Sequence, residues 1–265
     1  MRLNHVYTCV CFILLCSSFI QHNEPKPLVI KTKFDFFTTD NLGNIYIVKE
    51  DELMKYLSNG KMFARYSNLR LGAISSVDAT NPLKIVLYYK DFQQILFLDN
   101  QLSLNSDVVS LEKLGYEQTD LVCASANNSF WIYNKQNNEL NRFNESSKKI
   151  TSTGNLKQVL RSDIAPDYMM EYNGYLYLNS PETGIYVFDI FGAFSRIISI
   201  KNLTQFQVNE NIIYYQKDSS FCSYNYTLFE DACKVLPNHG KLVGLRYGNK
   251  KLYSGFKDSL LIQEF

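Results

Sequence analysis

The chain has 265 residues and a formal charge of +1; 14 % of it is aromatic, with 19 Tyr and 18 Phe. Acidic and basic residues are interspersed, which excludes a global field that would gather nucleic acid or an anionic membrane. The aromatics, beside many Ile, Leu and Val, suit the pleated, half-buried surface of a sheet.

Residues 1–20 differ from everything that follows. Arg2 is the only charge ahead of the apolar run Val6 to Phe19, which Ser17 and Ser18 close with small side chains. The run is shorter than the ~20 residues that span a bilayer. It therefore reads as a cleaved secretory signal, with a buried first strand as the alternative. Lipid anchoring at Cys16 is the lesser reading, because Ile13-Leu14-Leu15 lacks the small residue expected before a modified cysteine. Residues 21–26 form a polar linker, and the domain is expected over 27–265. The expected location is the periplasm or the extracellular space.

After the linker, Pro27 to Lys31 is a strand candidate, and regular units follow from Phe34. A central apolar residue of the second strand recurs at Ile45, Ile85, Trp131, Leu176, Ile213 and Leu252, in steps of 40, 46, 45, 37 and 39. The third strand recurs at Leu53, Ile95, Leu140, Ile185, Phe221 and Leu260, in steps of 42, 45, 45, 36 and 39. Two separate ladders share one uneven rhythm. Polar breaks repeat between them: Asn127-Asn128, Asn173-Gly174 and Asn209-Glu210-Asn211 precede second strands, while Lys90-Asp91, Lys217-Asp218 and Lys257-Asp258 follow them. Asn and Gly recur at such breaks because tight turns need backbone angles that other residues resist.

The clearest unit is Ala165 to Ile200. It predicts strands at Tyr168–Glu171, Tyr175–Leu178, Ile185–Ile190 and Phe194–Ile200, the first two joined by the Asn-Gly hairpin turn. No long window keeps the period 3.6 of a helix; Leu111 to Leu114 and Asn155 to Leu160 are single helical turns at most. Four short strands every ~40–45 residues form the blade of a β-propeller. The expected fold is all-β: a six-bladed propeller of four-stranded blades. The last unit holds only Lys241–Tyr247, Lys250–Ser254 and Leu260–Phe265, one strand short. Pro27 to Lys31 fits the vacant outer edge and would close the ring by backbone pairing. A pair of β-sandwiches is the alternative that the same spacing allows.

The segment TTDNLGNIYIVKEDELMKY, Thr38 to Tyr56, resembles the NHL-type propeller repeat, whose turn is commonly Asp-x-x-Gly-Asn before an apolar strand. The segment LGAISSVDATNPLKIVLYYKDFQQILFLDNQL, Leu71 to Leu102, resembles an uncharacterised bacterial family of exported small propellers. That resemblance implies export and a propeller, and no activity.

Chemistry is sparse. The three histidines are His5, His22 and His239, and no cysteine pair has zinc-ligand spacing. There is no G-x-S-x-G elbow and no Gly-rich phosphate loop. Lactonase-like propellers hold Ca²⁺ in the channel with Glu, Asn and Asp; Glu171, Asn128 and Asp78 are the raw material here, but the Gly-Glu-Gly-Pro entry motif is missing. Four N-x-S/T tripeptides begin at Asn127, Asn144, Asn202 and Asn225, and matter only in a eukaryotic secretory route. Cys9, Cys11 and Cys16 leave with the leader. Cys222 and Cys233, in successive strands, are placed either for a hairpin disulfide after export or as small buried hydrophobes; Cys123 reads as buried.

Binding surfaces remain. The loops between blades crowd one face, and Arg and Tyr are favoured at recognition hot spots. Arg70, Tyr116, Arg161, Asp163 and His239 are the residues singled out there. The expected function is an exported protein-binding or scaffold module of the bacterial envelope, without cofactor or catalysis. A Ca²⁺-dependent lactonase-like hydrolase is the second reading. The expected partners are envelope proteins and not nucleic acid; any membrane association would run through such a partner, and the chain itself is expected to be a monomer.

Overall fold

The structure, a computed structural model, describes residues 26–237 and 239–265. The expected leader, with Cys9, Cys11 and Cys16, lies outside the described residues, as does Asn238.

Strand β1 (Leu28–Lys31) precedes six consecutive meanders. The first blade is β2 (Phe36–Thr39), β3 (Ile45–Lys49), β4 (Glu52–Tyr56) and β5 (Met62–Ser67). The second is β6 (Ser76–Asp78), β7 (Ile85–Tyr89), β8 (Gln94–Leu98) and the short β9 (Val109–Ser110). The third is β10 (Thr119–Ser125), β11 (Ser129–Asn134), β12 (Glu139–Phe143) and β13 (Lys149–Ser152), followed by a helical turn, α1 (Leu156–Leu160). The fourth is β14 (Tyr168–Tyr172), β15 (Tyr175–Ser180), β16 (Gly184–Asp189) and β17 (Phe194–Ile198). The fifth is β18 (Phe206–Asn209), β19 (Ile212–Lys217), β20 (Ser220–Asn225) and β21 (Glu230–Val235). The last contributes β22 (Leu242–Gly248), β23 (Lys251–Phe256) and β24 (Ser259–Glu264). Every sheet has four antiparallel strands, and in the sixth the fourth place is taken by β1. The protein is a six-bladed β-propeller.

In the first four blades the second and third strands are covered on both faces by neighbouring blades, which is why they read as unbroken apolar runs rather than as alternation. In the fifth they are mostly half-buried. All but one of the twelve ladder residues named above are fully buried; Phe221, the exception, retains slight exposure. Closure follows the expected route: Leu28 faces Ile262 and Lys31 faces Ser259 across the β1–β24 pair. Ile30 is the side chain of β1 that enters the core, against Phe34, Phe37, Leu260 and Ile262. Leu28 instead lies over the turn of the first blade, where a Cβ on Gly60 (φ +80°) would stand 2.8 Å from it. The Asn-rich breaks have the backbone they need. Asn127, Asn128, Asn173 and Asn249 all have positive φ, and Asn173-Gly174 has it at both turn positions.

Five of the six seams between blades are closed by clusters of buried apolar side chains. Between the fifth and sixth blades no such cluster forms among the described residues. That seam holds a ring stack instead: Tyr214 lies parallel to Phe221 at 5.7 Å, and both meet Tyr247, at 4.9 and 5.4 Å. Phe265 completes it edge-on to Phe221 at 5.0 Å.

Cys222 and Cys233, opposite each other on β20 and β21, are joined in a disulfide, 11 residues apart in sequence. It ties down an outer strand whose residues are all exposed. Closing so short a loop constrains the unfolded chain by about 3 kcal/mol. Reduction with dithiothreitol is therefore expected to lower the melting temperature by several degrees, read by circular dichroism with and without reductant.

Candidate binding channel

The innermost strands, β2, β6, β10, β14, β18 and β22, each leave one edge unpaired toward the central channel. Unpaired strand groups must find partners or water, and side chains from neighbouring blades supply several. Asp78 Oδ2 accepts the Ala124 N–H at 2.9 Å. Glu171 Oε1 accepts the Ala126 N–H at 2.9 Å, and Gln207 Oε1 the Tyr247 N–H at 2.7 Å. Glu171 does more: its Oε2 also accepts from Trp131 Nε1 at 2.7 Å and from the Ser125 hydroxyl at 2.5 Å. Arg142 joins the same group by donating to Ser125 Oγ and to the Ala126 carbonyl.

These bonds bear on the calcium reading of Glu171, Asn128 and Asp78. Both oxygens of Glu171 and both of Asp78 are engaged by protein donors. Asn128 leans toward Glu145, with Nδ2 3.4 Å from Oε1. The three residues do not fit a hard-cation site, which needs convergent free oxygens. Among the described residues no group of three His, Cys, Asp or Glu is arranged to hold a metal ion. Cys123 lines the same channel, but burial, with Asp78 and Glu171 nearby, pushes its thiol well above the ordinary range. It is a packed side chain and not a nucleophile.

Two adjoining spaces share Phe36, Phe37, Gln205 and Gln207 in their linings. The channel itself encloses about 150 Å³, lined by Thr38, Asp78, Cys123, Tyr168, Gln207 and Arg246 among others. A larger space of about 270 Å³ lies at the seam between the fifth and sixth blades, lined by Phe36, Phe206, Tyr214, Phe221, Val243 and Gln205. Its residues Asp35, Thr204 and Val243 stand at the entry ends of inner strands. It therefore opens on the face formed by the inter-blade connections. At the opposite mouth, Asn81, Asn127, Asn128, Tyr172 and Asn173 surround a shallow basin of about 650 Å³.

The residues singled out from the sequence sit on four different connections and line neither channel space. Arg70 is exposed, its N–H bonded to Asn68 Oδ1 at 3.1 Å. Tyr116 is buried, edge-on to Phe143 at 5.3 Å, so its ring belongs to the core. Arg161 caps α1 in the left-handed region at φ 54°, and Asp163 pairs with Lys157 at 2.8 Å. His239 is exposed, with its ring edge-on to Phe256 at 5.9 Å. The residues that do converge, Gln205, Gln207, Tyr214 and Arg246, were missed. The available signal was Arg246 itself, a charge inside the apolar stretch Leu242–Tyr247 of a strand already placed in the ring.

No family model and no curated protein matches the chain in sequence. Solved structures match in shape. The Pan2 WD40 domain of Neurospora crassa aligns with a TM-score of 0.60 at 5% identity, over 88% of this chain and 89% of that one. A catalytically inactive H270A virginiamycin B lyase from Staphylococcus aureus, solved with quinupristin, aligns at 0.58 with 12% identity, over 86% of this chain and 79% of that one. A streptogramin B lyase aligns at 0.57 with 11% identity, over 89% and 97%. At such identities the likeness concerns the fold alone.

Proposed function

We propose that this chain is an exported propeller of a bacterial cell envelope that acts as a protein-binding or scaffold module and performs no covalent chemistry. The observation that carries the reading is the seam between the fifth and sixth blades. It is built of aromatic rings rather than a closed core, and it opens as a cavity on the connection-loop face. Aromatic side chains beside a concave space are what a partner's anchor residue fills. Polar groups that catalysis would use are instead spent on tying blades together. Export is supported by the leader pattern, by the likeness of Leu71 to Leu102 to exported small propellers, and by the disulfide, a bond that persists in oxidising compartments. A lyase reading, prompted by the structural neighbours, finds no counterpart here. The inactive variant of that lyase lacks a histidine, whereas His239, the sole histidine among the described residues, is exposed and does not line the channel.

Val243 is 46% exposed on the rim of the seam cavity, and Ile150 is equally exposed on the outer strand of the third blade. A photo-crosslinking residue at Val243, activated in the producing cells, is expected to yield a discrete protein adduct in the envelope fraction. The same probe at Ile150 is expected to yield none. An adduct from Ile150 alone, or recovery of small molecules only, would overturn the proposal.

A further inference from the structure

We propose that Arg246 anchors a carboxylate-binding station in the central channel, one that holds an organic monoanion against the inner strands. The side chain is only 7% exposed, yet no carboxylate lies within 4 Å of it among the described residues. Its side-chain partners within the fold are neutral: Nη2 donates to Gln205 Oε1 at 3.1 Å, and the Tyr168 hydroxyl also lies within hydrogen-bonding reach of the guanidinium. A guanidinium carries five N–H donors and does not lose its charge in proteins. Removing such a group from water without a counter-charge is costly, so a buried arginine normally has an anion beside it. Here the remaining donors adjoin the channel cavity of about 150 Å³.

The surroundings select the class of anion. The planar fork of a guanidinium matches the two oxygens of a carboxylate, which it binds bidentately. Tyr168 lines the same space; burial raises its hydroxyl, Arg246 draws it back, and Asp78 raises it again. Asp78 lines the same space and disfavours a second negative charge there. A monocarboxylate is neutralised by the single guanidinium; a phosphate dianion would keep one unbalanced charge in a buried space that Asp78 also lines. The amides of Gln205 and Gln207 complete a lining that suits a small polar head with a short apolar stem directed toward the aromatic seam, where Phe36 and Phe206 stand. The carboxylate station lies in the channel and its stem reaches the seam cavity that the partner reading also uses; titration tests the station and crosslinking tests the partner, so either can fail without the other.

The decisive variant supplies the missing counter-charge from within. Gln205→Glu keeps an oxygen in place to accept from Nη2 and adds a carboxylate at the position a ligand would take. Isothermal titration of the full chain with acetate and propionate, in Tris methanesulfonate free of chloride, is expected to show saturable binding. Q205E is expected to abolish it, with a melting temperature at or above that of the parent. Arg246→Lys is expected to weaken it at least fivefold, since an ammonium loses the fork. The proposal is overturned if neither acid binds, or if Q205E binds acetate as the parent does. It is equally overturned if inorganic phosphate or chloride binds as tightly as propionate. Because Q205E leaves the buried arginine in place, loss of binding there cannot be ascribed to a fold that failed to form, and its melting curve reports this directly.

Discussion

A chain that begins at Thr32 is expected to melt about 10 °C below one that retains β1. Two losses combine. Ile30 leaves a pocket bounded by Phe34, Phe37, Leu260 and Ile262, and emptying a buried isoleucine site costs about 2–5 kcal/mol. The outer edge of β24, paired with β1 from Leu28 to Lys31, becomes an open edge. For a domain of this size each kcal/mol moves the midpoint by roughly 2–4 °C. Ile30→Asp is expected to reproduce most of the effect without shortening the chain. Replacing Val29 with serine touches a side chain that faces solvent and is expected to change little. A truncated chain that melts within about 2 °C of its parent would show that pairing at the last blade does not hold the ring.

Glu171→Ala should destabilise the protein by about 3–5 kcal/mol, the range for breaking a buried charged network by removing one partner. The substitution strands three donors at once, the Ala126 N–H, the Ser125 hydroxyl and Trp131 Nε1. It also removes the carboxylate that answers Arg142 through Ser125, and Arg142 is itself buried. Each unsatisfied buried donor costs about 1–3 kcal/mol, so the lower bound follows from these losses alone. Glu171→Gln keeps one acceptor oxygen but turns an amide toward donors; it is expected to recover about half. Ser125→Ala leaves two of the three Glu171 bonds in place but also removes the acceptor of Arg142 Nε, and is expected to cost about 2 kcal/mol. Urea titration of the four proteins measures all of this. Were E171A as stable as the parent, the tie between the third and fourth blades would be ornamental, and Glu171 would be free for another task.

Much of this architecture was legible because covered strands leave a plain mark. Ile45, Trp131, Leu176 and their counterparts lie in strands pressed on both faces, so each must be apolar and each recurs with the blade. Asn173-Gly174 announced its turn through the backbone angles it alone tolerates cheaply. A further marker went unused. Asp99, Asn144, Asp189 and Asn225 end or directly follow the third strands in steps of 45, 45 and 36, and each folds its side chain onto the next turn's N–H groups. The inner strands were harder to read. Their polar residues answer partners about forty positions away, as Asp78 does Ala124 and Gln207 does Tyr247, and no local pattern encodes such a reach. Tyr116 was misleading for the converse reason: a tyrosine in a connection looks available for recognition, while its ring has turned inward onto Phe143. The weakness of one seam could not be read at all. Tyr214, Phe221 and Tyr247 look like any other aromatic strand residues until their stacking shows that no closed core lies beneath them.

Strands β24 and β1 run antiparallel with Ile262 opposite Leu28, so the end of one lies beside the start of the other. Topologically, the protein is a loop of six like hairpin units from which a single reversal has been omitted. A short Gly-rich bridge across that gap makes the backbone continuous, and the place where it is then cut becomes a matter of choice. Any connection between blades can serve, so each blade in turn can be made the one assembled from both extremities of the polypeptide.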